Sequence, residues 1–263
     1  MKKVIEEEME VVTAKVATEY LGVSDEELIT AGTDVCPGCG VLLGLRLAMK
    51  TIGMNSKIIA SGGHAAVFGT TSKVPFIATK ELKIPNLRKE VDEGKEKFVV
   101  LCYDGTNKVD DIVTAAGKCD LVISVVTEPG KDLVKKVSPS MDYSATASVS
   151  NPVDFMEKVQ EGLNHDKSFI ELLAPCPGIV DSKLDPSNTI EAARMAVKSN
   201  MFPLLVAKHS GKGLVAKLTY QNVEPVSVDE YHRLMGEVVK QEIIEKENAD
   251  MTAKMRLLQK GKF

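Results

Sequence analysis

The segment Cys36-Pro37-Gly38-Cys39-Gly40 sets two thiols three residues apart across a Pro-Gly turn. Thiols at that spacing point to one side, and the turn leaves backbone N–H groups to bond sulfur, a setting that stabilises thiolate and suits a metal. A redox dithiol or two idle buried thiols would use the same five residues. A third thiol, Cys176, stands in Ala174-Pro175-Cys176-Pro177-Gly178, where the flanking prolines stiffen the loop and aim the side chain. Its plainer reading is a small buried residue in a turn. Cys102, in an apolar strand, and Cys119, at a helix end, read as small hydrophobes.

Three thiols leave a four-coordinate site one ligand short. His64, in the glycine turn Ser61-Gly62-Gly63-His64, is a candidate for the fourth position, although a lone histidine is more often an ordinary surface or core residue. Three cysteines with one histidine are a common zinc set, whereas iron–sulfur clusters prefer four cysteines, so the metal stays open. Separately, Tyr103-Asp104-Gly105-Thr106 puts a carboxylate at a strand end, where it can hold Mg²⁺ attached to a phosphate group. Asp-Gly is also a very common plain turn.

These residues need elements to position them. The run GVLLGLRLAMKTIG after the first cysteine turn reads as a buried helix, and Lys57–Ala60 as a strand leading into the His64 turn. FVVLCYDG and DLVISVVTEPG read as buried strands ending in turns, and SFIELLAPCPG as a third that runs into the Cys176 loop. Between them VDDIVTAAGKC, residues 151–163 and TIEAARMAVKSN read as helices. Strand and helix alternate, which predicts an α/β fold with a parallel sheet and helices on both faces. Pockets in such sheets form at the carboxyl ends of the strands, where four of these turns fall. Residues 3–22 have helical apolar spacing, Ser24-Asp25-Glu26-Glu27 resembles the start of a second short helix, and from Ser227 onward a charged helix carries an apolar strip of Met235, Val238, Val239, Ile243 and Ile244. The expected divisions are a helical extension over 1–30, an α/β domain over 31–226 and a charged helix over 227–263.

Composition narrows the classes further. The chain has 263 residues, 33 basic against 37 acidic, a net charge of −4, no Trp and five cysteines. A chain of this size buries enough surface to fold without disulfides. The basic residues are dispersed, which argues against nucleic acid as the main partner. The start MKKVIEEEME is too acidic for a signal peptide, and no run reaches the ~18 apolar residues of a membrane span. A cytoplasmic location is expected, and in a reducing compartment clustered cysteines are more often ligands than disulfides.

Taken together and in this order, residues 30 to 240 resemble the thiamine-diphosphate-binding β subunit of the 2-oxoacid:ferredoxin oxidoreductases, the pyruvate synthase group. The resemblance is carried by Cys36-Pro37-Gly38-Cys39-Gly40 with its following helix, by FIELLAPCPG, and by the downstream runs TIEAARMAVKSNMFPLLVAK and PVSVDEYHRL. It implies a parallel-sheet thiamine-diphosphate-binding fold, and a [4Fe–4S] cluster held by Cys36, Cys39, Cys176 and a fourth ligand. It also implies a thiamine diphosphate with Mg²⁺ held around Asp104, Gly105 and Thr106, with Gly40 at the cofactor. In this family the chemistry is oxidative decarboxylation of a 2-oxo acid, or its reverse, with electrons passed to the cluster. The implied partners are other subunits of the complex and ferredoxin or a similar acceptor. No catalytic residue is assigned.

The chain departs from the family pattern at two places. His64 stands where the family has a cysteine; a neutral ligand in place of thiolate should raise the cluster potential. Tyr103 replaces the leading glycine of the metal motif, and Val126-Thr127-Glu128 stands where the family has an asparagine, so that Thr127 or Glu128 would have to supply the oxygen. The second reading these departures leave open is a subunit of a larger redox complex that has lost thiamine and keeps a cluster or a structural task. A zinc-stapled domain without catalysis is a third.

Overall fold

The computed structural model describes residues 21–62, 71–79, 82, 96–103, 108–178, 182–210, 213–222 and 224–263. The helix expected over 3–22, with most of the 1–30 extension, lies outside the described residues, as do His64, Asp104, Gly105 and Thr106.

Helix α1 (Gly40–Ile52) precedes strands β1 (Ser56–Ser61), β2 (Phe76–Thr79) and β3 (Lys97–Tyr103). Then come α2 (Val109–Ala116), β4 (Leu121–Val126), α3 (Leu133–Val137), β5 (Tyr143–Ser148), α4 (Pro152–Gly162) and β6 (Ser168–Leu173). The chain ends with α5 (Thr189–Lys198), β7 (Leu205–Ser210), β8 (Gly213–Leu218), α6 (Val228–Leu234) and α7 (Gln241–Leu258). The strands form one eight-stranded sheet in the order β2-β1-β3-β4-β6-β5-β7-β8. From β2 to β5 all pairings are parallel; β7 and β8 run antiparallel at the far edge.

Helices cover both faces, as the alternation predicts. On one face α1 and α4 pack Val41, Leu45, Phe155 and Val159 against Ile123, Ile170 and Leu172. On the other, α2 and α7 bring Ile112, Ala115, Met255 and Leu258 onto Val100, Val122 and Phe169. Strands β4, β5 and β6 are buried along their whole length, which explains why β4 and β6 read as continuous apolar runs.

Strand β5 (YSATAS) escapes that pattern, because it is buried through small and hydroxyl side chains that find partners inside. Ser144 Oγ lies 2.7 Å from Ser138 Oγ, and Thr146 Oγ1 donates to the Pro203 carbonyl at 2.6 Å while accepting the Leu205 N–H at 2.9 Å. Buried hydroxyls paired in this way carry no desolvation penalty.

Two local expectations are corrected. Residues 23–30 form no helix: Ile29 makes an antiparallel bridge to Ser72, and the Lys73 N–H donates to the Leu28 carbonyl at 2.8 Å. Burial of Leu28 and Ile29 in the core, with Glu26 paired to Lys73 at 3.0 Å and Glu27 to Lys50 at 2.8 Å, outweighs the local capping signal. The C-terminal charged segment is two helices rather than one. Gly236, at φ 72°, takes the left-handed conformation that stops a helix, and Val238, counted in the apolar strip, is fully exposed beyond it.

Helices α6 and α7 are tied together by His232, which is 9% exposed. Its Nδ1 lies 2.5 Å from Glu237 and its Nε2 2.8 Å from Glu247. Burial alone would lower the imidazole pKa, but the hydrogen bonds to Glu247 and Glu237 outweigh it and raise it. A raised folded-state value means that stability is present in full below the unfolded value near ~6.5 and is lost as pH rises through the folded value. The urea midpoint should therefore fall between pH 6 and pH 8.5, by less than about 1 kcal/mol because both glutamates are partly solvated. The slope should vanish in His232→Gln; an unchanged slope in that variant would assign it to other groups.

Candidate thiol site

The strand order sets the site. Strands β1, β3, β4 and β6 lie side by side, and their carboxyl ends are level: Ser61 is paired with Cys102, Tyr103 with Val125, and Val126 with Leu173. Each leads into one of the turns singled out from the sequence. The chain leaves β1 toward β2 on one side and leaves β3 toward β4 on the other, which makes the carboxyl ends of β1 and β3 a topological switch point of the kind where α/β sheets bind ligands. The Ala174 N–H donates to the Val126 carbonyl at 2.9 Å, which seats the Cys176 loop directly beside the Thr127–Glu128 turn.

Cys36 and Cys39 approach from the other direction, at the amino end of α1. Cys39 is the N-cap: its Sγ accepts the Leu42 N–H at 3.4 Å, and its own N–H donates to the Cys36 carbonyl at 3.2 Å, closing the Pro-Gly turn. Glycines bring this turn down onto the Cys176 loop. Gly38 has φ 69°, and a Cβ there would lie 2.0 Å from the Pro186 carbonyl oxygen. A Cβ on Gly40 would lie 2.5 Å from the Pro175 carbonyl oxygen. Gly40, expected at the cofactor, is buried and owes its identity to this close approach.

Two of the thiols, Cys36 and Cys176, converge on Gly178, and Cys39 is hydrogen-bonded to Cys176. A Cβ on Gly178 would fall 2.2 Å from Cys36 Sγ and 3.8 Å from Cys176 Sγ, so the missing side chain is the space the sulfurs use. The hydrogen bond with Cys176, and then burial, push the Cys39 thiol well above the usual thiol range. Cys176 is 4% exposed and Cys36 is exposed. None of the five cysteines is in a disulfide. Cys102 and Cys119 are buried on the opposite face of the sheet, where burial pushes the Cys102 thiol up, as inert small hydrophobes should behave.

Among the described residues no three His, Cys, Asp or Glu side chains are grouped tightly enough to hold a metal ion. By donor type alone, three sulfurs from two turns could supply three of the four ligands a cluster or a zinc ion takes, but only after the side chains draw closer together. Outside the thiols runs an open groove of about 450 Å³ bordered by Thr33, Leu42, Arg46 and Ser187. Arg46 there pairs with Glu27 at 3.0 Å; burial opposes ionisation of Glu27, but Arg46 and Lys50 hold its carboxyl below the usual range.

Thr127 is half-buried and Glu128 exposed. Tyr231, in the conspicuous run PVSVDEYHRL, is buried with its hydroxyl unpartnered; burial and then the nearby Glu128 charge raise its pKa. The sequence reading missed Tyr231 and Gly178. For Gly178 the signal was present in the Cys-Pro-Gly triplet itself.

The arrangement is that of an α/β protein whose chemistry sits at the strand carboxyl ends beside a gathered set of cysteines. No family model matches the chain. The pyruvate synthase subunit PorB of Methanothermobacter marburgensis is 25% identical over 262 residues, covering 80% of this chain and 88% of PorB. The ketoisovalerate oxidoreductase subunit VorB of Pyrococcus abyssi is 29% identical over 269 residues, covering 80% of this chain and 85% of VorB. Among solved structures, the 2-oxoglutarate:ferredoxin oxidoreductase of Magnetococcus marinus, with 2-oxoglutarate, coenzyme A and succinyl-CoA bound, aligns with a TM-score of 0.48 at 15% identity. That alignment covers 85% of this chain and 97% of that one. The chain is thus similar, at 25–29% identity over four-fifths of its length, to β subunits of the pyruvate synthase and ketoisovalerate oxidoreductase type.

Proposed function

We propose that this chain serves as the β subunit of a 2-oxoacid:ferredoxin oxidoreductase complex, taking part in the thiamine-dependent oxidative decarboxylation of a 2-oxo acid, or its reverse. The observation that carries the reading is the approach of Cys36 and Cys176 to Gly178, with Cys39 hydrogen-bonded to Cys176, beside the carboxyl end of β4. Similarity to PorB and VorB over four-fifths of the chain supports it.

Cys36, Cys39 and Cys176 would hold a [4Fe–4S] cluster, with His64 the candidate for the remaining ligand. Asp104, Gly105 and Thr106, with Thr127 or Glu128, would hold the Mg²⁺ and diphosphate of thiamine. When bound, thiamine supplies the carbanion chemistry at the 2-oxo carbon and the cluster accepts electrons one at a time. The chain's own contribution is positional. The Pro-Gly turn and α1 fix two sulfurs, the Pro-Cys-Pro loop fixes the third, and burial of Cys176 excludes water on that side. Cys39 must give up its proton on loading, so cluster assembly should release protons and tighten as pH rises. Other subunits of the complex, and a ferredoxin or similar acceptor, complete the system, and a cytoplasmic setting fits the free thiols.

A second reading, a cluster-bearing or structural subunit without thiamine, draws on Tyr103 and Thr127-Glu128 in the metal motif.

Co-expression with the partner subunits without oxygen, followed by iron, sulfide, zinc and thiamine analysis, tests both. Iron and sulfide with thiamine supports the proposal. Iron without thiamine, or neither metal nor thiamine, supports the second reading, and zinc alone overturns both. Cys176→Ala should abolish the cluster signal while Cys119→Ala leaves it within about 20% of wild type; equal losses would show that the ligands are assigned wrongly.

A further inference from the structure

On the sheet face opposite α1 and α4 lies a cavity of about 280 Å³, enclosed by β5, β6, the start of β7 and α7. Its walls are apolar, with Val134, Phe202, Leu205, Leu258 and Phe263 among them. One charged group reaches its floor. Glu171, in the middle of β6, is 1% exposed, and its Oε2 accepts the Val134 N–H at 2.9 Å, with the Leu133 N–H also directed at the carboxyl group. Its Oε1 is buried with no hydrogen-bond partner.

Buried polar atoms are nearly always paired, and one left over on the floor of an apolar cavity calls for a reason. Capping the start of α3 is not reason enough, since a glutamine would accept the Val134 N–H equally well. A carboxylate in this position costs more to bury than an amide, and burial pushes Glu171 up to about 7. The other polar group of the inner wall, Thr146, is already bonded to Pro203 and Leu205. At the mouth, Lys254 pairs with Asp132 at 2.6 Å, and the two charges act on Glu171 in opposite senses.

We infer that this cavity is a binding site for a small aromatic molecule carrying one N–H donor, which Glu171 Oε1 would accept. The size fits: an apolar cavity of ~150 Å³ holds a benzene ring, and nearly twice that volume accommodates a fused bicycle between Phe202 and Phe263. The site is separated by the thickness of the sheet from the thiols and does not depend on their chemistry.

Indole and indene, which share a shape but differ in the N–H, are the probes. Ligand-observed NMR titration of the full chain should give an indole dissociation constant at least fivefold lower than that of indene, the discrimination expected when a buried acceptor is left unpaired. In Glu171→Gln the amide oxygen takes the Val134 N–H and turns a donor toward the cavity, so the preference for indole should disappear. A crystal soak should place indole against Glu171. Equal binding of the two probes, binding of neither up to their solubility, indole located elsewhere, or an unchanged preference in Glu171→Gln would each overturn the assignment. The first two outcomes are read on unmodified protein, so poor folding of the variant does not affect them.

Discussion

Replacing Gly38 with alanine should destabilise the protein by roughly 2–5 kcal/mol, read as a shift in the urea unfolding midpoint. Two costs combine: ~1–2 kcal/mol for a side chain in the left-handed region and ~1–3 kcal/mol for overlap in a packed site. The overlap is with backbone, because the new Cβ would lie 2.0 Å from the Pro186 carbonyl oxygen. Pro186 opens a 3-10 turn whose preceding residue, Asp185, accepts from the Ser187 N–H at 2.8 Å, and the turn runs straight into α5, so it cannot retreat cheaply. Gly178→Ala makes an informative contrast. There the collision at 2.2 Å is with the Cys36 sulfur, a side-chain atom that can rotate away. That variant should lose little stability, about 1 kcal/mol or less, yet redirect Cys36 and weaken whatever the thiols hold. If the Gly38 variant loses under about 1 kcal/mol, the cysteine turn does not rest on Pro186 as described.

The second large effect is expected at Lys158. Its ammonium, with the side chain 4% exposed, bonds Asp154 at 2.6 Å, the Thr146 carbonyl at 2.8 Å and Thr219 Oγ1 at 2.8 Å, tying α4 to β5 and to the end of the β7–β8 hairpin. Burial lowers its pKa, and Asp154 works in the opposite direction. Asp154→Ala removes the one carboxylate and strands a buried charge, at a cost of roughly 3–5 kcal/mol near pH 7. With the folded-state pKa lowered further, the unfolded chain binds the proton more tightly. The stability deficit should then shrink as pH rises toward the unfolded lysine value near ~10.4. In the double variant Asp154→Leu, Lys158→Met most of the loss should return. A deficit that does not change with pH would mean that repacking, rather than the stranded charge, sets the cost.

The sequence made some of this arrangement legible and hid the rest, for physical reasons that differ by element. Strands β3, β4 and β6 could be read because both their faces are covered, which forces uninterrupted aliphatic runs. Strand β5 could not, since Ser144, Thr146 and Ser148 are buried with hydrogen bonds to Ser138, to Pro203 and Leu205, and to Ser150, and leave no apolar signature. The antiparallel pair β7–β8 hid for a different reason: β8 alternates buried and exposed residues at the sheet edge, and its Lys217 and Leu218 resemble any surface segment.

At the site, the cysteines announced themselves by type and spacing. That Cys36 and Cys176 meet could not be read locally, because the contact depends on strand order and on an absent side chain at Gly178. Glu171 went unremarked inside FIELL, where one acid among aliphatics says nothing about which of its oxygens is satisfied.

The convergence on Gly178 also dictates an order of events during synthesis. Cys36 and Cys39 emerge together and their turn closes locally, whereas Cys176 follows about 140 residues later. Closing so long a loop is entropically costly, and long-range parallel pairing forms slowly. A nascent chain therefore carries an accessible dithiol through most of its translation, with nothing to complete it until β6 has inserted between β4 and β5. If the thiols hold a cluster as proposed, whatever supplies it would have to wait for that insertion or deliver it to two sulfurs and hold it there. Oxidation during this interval would join Cys36 to Cys39 and block the site before the third sulfur arrives.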